Sequence, residues 1–465
     1  MRTGSFYIKT GIASVLLLMI WLSACKKPGL FTEDQFDERL SADGATVFDE
    51  SSGAYGNTIP GLTDAQQRFH DLGDKMFEQS FVTSPAPLYG GLGPVYNNLS
   101  CARCHVGEGR GFPVTPSANF QTTFLKVSLP GTDAYGAPLA LPGFGLQIQD
   151  QSVAGAPPEA KISVNWNYFT VTLDDGSAVE LREPQYTISN SYIPLPAGYL
   201  TSPRMPRPNF GIGILEAIDE AEILKHADPT DSDGDGISGR PNYVWNYITQ
   251  RKELGRIGWK AAVPDIKNQV AKALNEDIGV TTSVFPLKNA HGQTQMTVLK
   301  GGETIDLPDS LLNALTFYMR TLAVPARRHT DDPVVRQGQH LFKDIGCVKC
   351  HVDVQLTKVD VSMPALSNLI TRPYTDLLLH NMGTGLADNR DEFEANGFEW
   401  RTPPLWGLGL SRKVNGNGFY LHDGRARSLP EAILWHSGEA ETVKQRYKAL
   451  TASERASLIK FLESL

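Results

Sequence analysis

The chain has 465 residues, 41% hydrophobic and 20% charged, an ordinary composition for a globular protein long enough for more than one buried core. Its 43 basic residues against 51 acidic ones leave a formal charge of −8, which argues against a nucleic-acid partner, because phosphate backbones are held by an excess of Lys and Arg. The acidic balance suits encounter with a basic protein and simple solubility equally well.

In chain order, residues 1–24 read as a signal peptide: Arg2 and Lys9 flank the start of an apolar run over 11–22. Leu22-Ser23-Ala24-Cys25 resembles a lipoprotein cleavage box with Cys25 as the lipidated residue. The run is too short and too near the start to favour a permanent spanning helix. The expectation is an exported, lipid-anchored chain in the periplasm on the outer membrane, with the cell surface as the alternative. Residues 25–60, rich in Gly, Ser, Asp and Thr, read as a flexible tether.

Folding is expected from about Leu62. Phe69, Leu72 and Met76 recur at helical spacing after the cap signal Thr63-Asp64, so the pattern predicts a helix over 63–77. A glycine-bearing loop then leads to Cys101-Ala102-Arg103-Cys104-His105. Between 120 and 193, Ile162-Ser163-Val164-Asn165-Trp166, Phe169-Thr170-Val171-Thr172-Leu173 and Ala178-Val179-Glu180-Leu181 around Asp174-Asp175-Gly176 predict strands joined by a tight turn. Glu216 stands in the apolar run Phe210-Gly211-Ile212-Gly213-Ile214-Leu215-Glu216-Ala217-Ile218. Burial there would raise its pKa toward that of a general acid/base, and the competing readings are a solvated helix face or a tie to Arg207.

Asp231-Ser232-Asp233-Gly234-Asp235-Gly236 repeats the first half of a calcium loop. Asn242 stands where an EF-hand has its bidentate Glu, so a bare acidic turn is the alternative. Trp259 lies between Gly258 and Lys260 and reads either as core packing or as an aromatic electron carrier. From about Asp332 the pattern is helical again and enters Cys347-Val348-Lys349-Cys350-His351. The last segment opens with the capping box Thr451-Ala452-Ser453-Glu454 and carries Leu458, Phe461, Leu462 and Leu465 on one apolar face.

Two Cys-x-x-Cys-His runs point to two covalently attached c-type haems: each thiol pair is spaced to add across one porphyrin, and the adjacent His105 or His351 is left to ligate the iron. Zinc, a thioredoxin-like redox pair or disulfides are the alternatives. A structural zinc usually gathers such pairs into one small module, whereas these lie far apart. Export agrees with the haem motifs, since attachment takes place outside the cytoplasm. The fifth cysteine, Cys25, is then the lipid site.

Further motifs carry a resemblance over most of the chain from about Leu62: Gly91-Leu92-Gly93-Pro94-Val95-Tyr96-Asn97, the Asp231 loop to Asn242, Gly255-Arg256-Ile257-Gly258-Trp259-Lys260-Ala261, Arg401-Thr402-Pro403-Pro404-Leu405-Trp406, and Leu421-His422-Asp423-Gly424-Arg425-Ala426-Arg427-Ser428-Leu429. In these the chain resembles the bacterial di-haem c-type oxidoreductases related to di-haem cytochrome c peroxidases. The resemblance implies a periplasmic two-haem redox protein, with a calcium ion near the haem interface adding to the case for Asp231, Asp233 and Asp235. In the peroxidase relatives the segment similar to His422-Asp423-Gly424 leads to a Met that ligates the second haem, and at the matching place this chain has His436. An imidazole there makes that haem a weaker oxidant than its Met-ligated counterpart. A helix histidine packing beneath the haem or bonding a propionate is the other reading of His436, and Met382 is the runner-up ligand. No histidine lies between His105 and His226, so a short-range distal ligand to the first haem is missing. His380 is a candidate long-range ligand or active-site donor, or a satisfied interface histidine. His70, His226, His291, His329 and His340 read as surface residues.

The expected fold is two mainly α, cytochrome c-like haem domains packed together with a β-rich insertion. The division is an N-terminal haem domain over 61–330, carrying the insertion and the calcium loop, and a C-terminal cytochrome c domain over 331–465. The expected activity is peroxide reduction at the first haem with electron relay through the second, Glu216, Trp259 and His380 being the catalytic candidates. A small c-type cytochrome is the expected redox partner. Pure electron transfer, and oxidation or oxygenation of an organic or protein substrate, are the alternatives.

Overall fold

Two helix pairs, each closing on one Cys-x-x-Cys-His run, organise the protein. The computed structural model describes Met1 and residues 37–86, 88–114, 122–299 and 304–465. The expected signal peptide, Cys25 and the start of the tether lie outside the described residues. No helix among the described residues is long and apolar enough to cross a membrane.

The helix Asp64–Glu78 starts at a Thr63 cap whose side chain accepts from the Gln66 amide while Gln66 reaches back, a reciprocal cap that satisfies amides left open at a helix start. His70, Gly73, Met76 and Phe77 form its buried face, and Leu72 points outward. It packs on the helix Asp309–Arg320, far along the chain. The crossing is tight because Gly73 has no side chain: a Cβ there would lie 2.2 Å from the Ala314 carbonyl oxygen. The second pair repeats the device. Helix Pro333–Asp344 packs on the terminal helix Ala452–Ser464, and a Cβ on Gly338 would lie 2.0 Å from the Ser457 carbonyl oxygen. The capping box at Thr451 and Glu454 forms, and Leu458, Phe461, Leu462 and Leu465 are all buried. Each fully buried Leu or Phe of such a face contributes about 1.5–3 kcal/mol.

The expectation of mainly α, cytochrome c-like haem domains does not hold. Helix makes up 29% and strand 19%, with eleven short to medium α-helices and many small sheets among the described residues. The 43 glycines and 30 prolines break the chain into turns too often for long helices. One sheet has three strands, Pro138–Leu139, Phe124–Thr132 and Leu200–Arg204 in that order. The longest ladder is the antiparallel hairpin Lys161–Thr172 with Ala178–Ser189, in register from Lys161 opposite Ser189 to Thr172 opposite Ala178. Its turn is closed by the Leu173 carbonyl accepting from Gly176 and by Asp175 accepting from Ser177. Residues Arg39–Leu465 form one contact unit. Two large apolar clusters fill it, one around the first helix pair and one around the second.

His70 is not a surface residue. It is 4% exposed, its ring nitrogens bonded to Thr58 and Thr321. An amphipathic helix can hide one polar ring on its apolar face when both nitrogens find partners.

Candidate redox site

Each Cys-x-x-Cys-His run lines its own cavity. Cys101 and Cys104 form the short helix Cys101–Cys104, and they and His105 open into a cavity walled by Phe77, Asn98, Phe210 and Met319. Cys347 and Cys350, on the turn that starts at Cys347–Lys349, and His351 open into another, walled by Phe342, Leu405, Leu458 and Leu462. None of the four cysteines is in a disulfide, and burial raises all four thiols. A phenyl ring steadies each histidine, Phe77 with its centroid 6.3 Å from His105 and Phe342 with its centroid 6.2 Å from His351.

The histidines are oriented alike. His105 Nδ1 donates to the Arg207 carbonyl at 2.7 Å and His351 Nδ1 to the Tyr374 carbonyl at 2.9 Å. A ring whose Nδ1 proton is spent on a backbone carbonyl keeps its lone pair on Nε2, the tautomer a metal requires. Burial pushes both imidazoles down to about 4, so both are neutral.

His436, just beyond the helix Leu429–Leu434, lines the second cavity and has the same set: its Nδ1 bonds the Ala432 carbonyl at 2.8 Å. Met382, the runner-up, lines the same cavity. His422 lies there too, stacked on Trp400 at 3.9 Å between centroids and pushed down to about 3 by burial. His380 is also on this wall and not on the first cavity's. Its strand Leu379–Asn381 pairs with Glu399–Arg401, and both ring nitrogens are engaged, with Asp376 at 2.8 Å and Glu439 at 2.7 Å. Burial disfavours the imidazolium, but Asp376 outweighs it and holds His380 well above the ordinary value.

The first cavity differs in its walls. His105 is its only lining histidine among the described residues, and charged side chains take the place of further ligands. Lys126 pairs with Glu276, which also meets Lys272 at 3.9 Å, and Arg204 meets Glu392 at 3.2 Å. Burial would raise Glu392, but Arg204 and Arg390 outweigh it and hold it far below the carboxylate range. For Asp150 and Asp277 on the same wall, burial outweighs the Asn97 hydrogen bond to the one and the Lys126 charge near the other, and pushes each up to about 6. Glu216 is not on the wall of either cavity. It bonds Arg320 at 2.6 Å and accepts from the Ile266 amide at 2.8 Å.

Trp259 lines both cavities, together with Arg110, Arg401, Pro403 and Leu408. Its indole N–H donates to the Met205 carbonyl at 2.9 Å, and the Arg207 guanidinium lies 5.0 Å from its ring centre. Sequence reasoning missed the two buried arginines of this shared wall. Arg401 opens the Arg401-Thr402-Pro403-Pro404 motif and Arg110 follows the first haem run by a few residues, but neither position signals that its charge meets no carboxylate among the described residues.

In the acidic loop, Asp231 accepts from the Gly236 amide and Asp233 from the Asp235 amide, so the turn is built by its own carboxylates. The oxygens of Asp228, Asp231 and Asp233 lie within 4.8 Å of one another. Asp235 turns instead to Lys349, between the cysteines of the second run, at 2.8 Å. Asp228 was not among the residues singled out from the sequence, since it precedes the repeat.

Residues 36–465 match the family described as "Di-haem oxidoreductase, putative peroxidase". No curated protein matches the chain. Among solved structures, the chain is similar to a hydrazine synthase of Kuenenia stuttgartiensis pressurised with 20 bar xenon, at 14% identity, over 88% of this chain and 94% of that one, with a TM-score of 0.33. That likeness is too distant to bear on fold or chemistry. With a family match over nearly its whole length and two cavities each carrying a Cys-x-x-Cys-His run, the chain belongs to the di-haem oxidoreductase family.

Proposed function

We propose that the chain is an exported di-haem c-type oxidoreductase that reduces peroxide at the first cavity and uses the second as an electron store. The observation that carries this reading is the unequal histidine supply: among the described residues His105 is the one histidine lining the first cavity, whereas the second has His436 facing it in addition to His351, with Nδ1 already bonded. When bound, haem iron supplies reversible one-electron chemistry and, where a sixth ligand is lacking, a position for peroxide.

The protein's own residues do the rest. Cys101 with Cys104, and Cys347 with Cys350, would hold the two groups as thioethers, His105 and His351 would each supply an iron ligand, and His436 would supply a further ligand at the second site. Reduction of hydrogen peroxide to two waters takes up two electrons and two protons, so the first cavity needs a proton carrier. Glu216 is occupied with Arg320 away from the wall, and that role passes to Asp277 and Asp150, whose raised affinity for protons suits transfer near neutral pH. Trp259, on the wall common to both cavities, is the candidate electron route. A calcium ion held by Asp228, Asp231 and Asp233 would brace the turn against the second haem run through Asp235 and Lys349. A small basic c-type cytochrome, drawn by the acidic surface, is the proposed electron donor.

The test is peroxide-dependent oxidation of a reduced small c-type cytochrome by the two-haem holoprotein. The reading expects turnover, lowered roughly 100-fold or more in Asp277→Asn if that carboxyl moves the proton. A holoprotein that consumes no peroxide and exchanges electrons with the donor alone is a relay, and the peroxidase reading falls.

A further inference from the structure

The wall common to both cavities holds two buried cations, Arg110 and Arg401, that meet no carboxylate among the described residues. Arg401 is 2% exposed; its Nε donates to the Gly258 carbonyl at 3.0 Å and its Nη1 to the Thr402 carbonyl at 3.1 Å. No carboxylate faces it among the described residues, and burial alone perturbs it, pushing it down to about 9. Arg110 is 7% exposed and its Nε has no hydrogen-bond partner; the nearest compensation is the Tyr420 ring, 5.6 Å from the guanidinium carbon.

Several other buried cations of this protein meet carboxylates, and Arg182, which meets none, spends its guanidinium on the Gly424 and Arg425 carbonyls. Lys260 meets Asp388 at 2.7 Å, Arg425 meets Asp423 at 2.8 Å and Arg204 meets two carboxylates. Arginine stays charged at any ordinary pH, and a buried charge without a partner is expensive enough that folded proteins rarely keep one. Two on one wall, both facing both cavities, point to an anion that arrives with the occupants. Haem brings two propionate carboxylates per ring, and a guanidinium fork fits a carboxylate with two parallel N–H bonds.

We propose that Arg110 and Arg401 form a shared cradle for propionates of both haems, so that the two rings turn their carboxylate edges toward the Trp259 wall. The inference rests on the two-haem reading and adds to it where each ring points and which residues couple them. A cation next to a haem stabilises the reduced form, which carries one positive charge fewer, and therefore raises its potential. One arginine serving both sites raises both potentials together. These are positioning residues, acting on the irons only through the propionates.

The test is potentiometric titration of the holoprotein, each haem followed by its own spectrum, after haem stoichiometry has been measured. Arg401→Gln should lower both midpoint potentials, and Arg401→Lys, which keeps the charge, should restore most of the shift. Arg110→Gln should act in the same direction. In the wild type, redox-difference infrared spectra should show ionised propionates at neutral pH and no band of protonated ones. The proposal is overturned if Arg401→Gln and Arg110→Gln retain both haems with both potentials unchanged, if Lys shifts them as far as Gln, or if the wild-type propionates are protonated at neutral pH. A wild type carrying fewer than two haems would instead refute the two-haem reading on which the cradle depends.

Discussion

Three imidazoles share one device: His105, His351 and His436 each spend Nδ1 on a backbone carbonyl and keep Nε2 for the cavity. The first two were legible from spacing alone, because Cys-x-x-Cys-His ties the imidazole to the thiols that attach the cofactor. His436 was legible only through its place after Leu421-His422-Asp423-Gly424. Glu216 shows the limit of local reasoning. Its apolar neighbours suggested burial, which is only partial with the side chain 16% exposed, and the partner that engages it, Arg320, is remote in sequence and leaves no trace near position 216. The unpaired state of Arg110 and Arg401 was equally hidden, since an absent partner has no sequence signal. One buried carboxyl outside the cavities gives a direct test of this electrostatic picture. Glu159 is fully buried, accepts from the Gln149 amide and the Gln293 side chain at 2.7 Å each, and is pushed up to about 8 by burial. A folded-state pKa above the unfolded one makes the folded form the better proton binder. Stability from this group is therefore complete below about 4.5 and falls by about 1.4 kcal/mol per pH unit as pH rises toward about 8. Glu159→Gln, which keeps an acceptor oxygen without the charge, should flatten that part of the stability-versus-pH curve in denaturant titrations. A slope identical to that of the wild type would mean that Glu159 ionises as easily folded as unfolded.

At the scale of elements, caps and hairpins were read well because their signals are local. Thr63 and Thr451 cap the expected helices, and the Asp174-Asp175-Gly176 turn joins the expected strands, although the two runs before it prove to be one continuous strand. The buried face of Asp64–Glu78 was placed slightly off, with Leu72 outward and His70 inward, because the partner helix Asp309–Arg320 docks at Gly73 and turns the adjoining face inward. The glycine crossings at Gly73 and Gly338 answer to partners that sequence periodicity cannot name. The acidic loop belongs to this scale as well, since its only ion pair among the described residues, Asp235 with Lys349, reaches into the second haem run. If calcium binds at Asp228, Asp231 and Asp233, it binds the folded form, and chelation should lower the melting temperature and perturb the spectrum of the second haem more than the first. A protein that contains no calcium as isolated and keeps its melting temperature and spectra after added calcium and after chelation would leave the loop a carboxylate-built turn.

At the scale of the whole molecule, the haem runs and the terminal helix suggested mainly α domains, and that inference overreached. The motifs report the few turns around each cofactor, whereas most of the chain between Phe124 and Asn246 is given to small sheets and connections whose glycines and prolines the helix pattern does not describe. What joins the parts is the wall of Trp259, Arg110 and Arg401, common to a charged cavity with one histidine among the described residues and a largely apolar cavity with several. That inequality is the centre of the account, and low-temperature electron paramagnetic resonance of the oxidised holoprotein, with near-infrared absorption, tests it most directly. The account predicts one haem that cyanide converts to low spin, and one bis-histidine haem, low-spin from the outset and without the charge-transfer band of a sulfur ligand. In His436→Met that band should appear and the potential of the second haem alone should rise. Two low-spin haems indifferent to cyanide would contradict the open first site, and a sulfur band in the wild type would contradict His436 and turn attention to Met382.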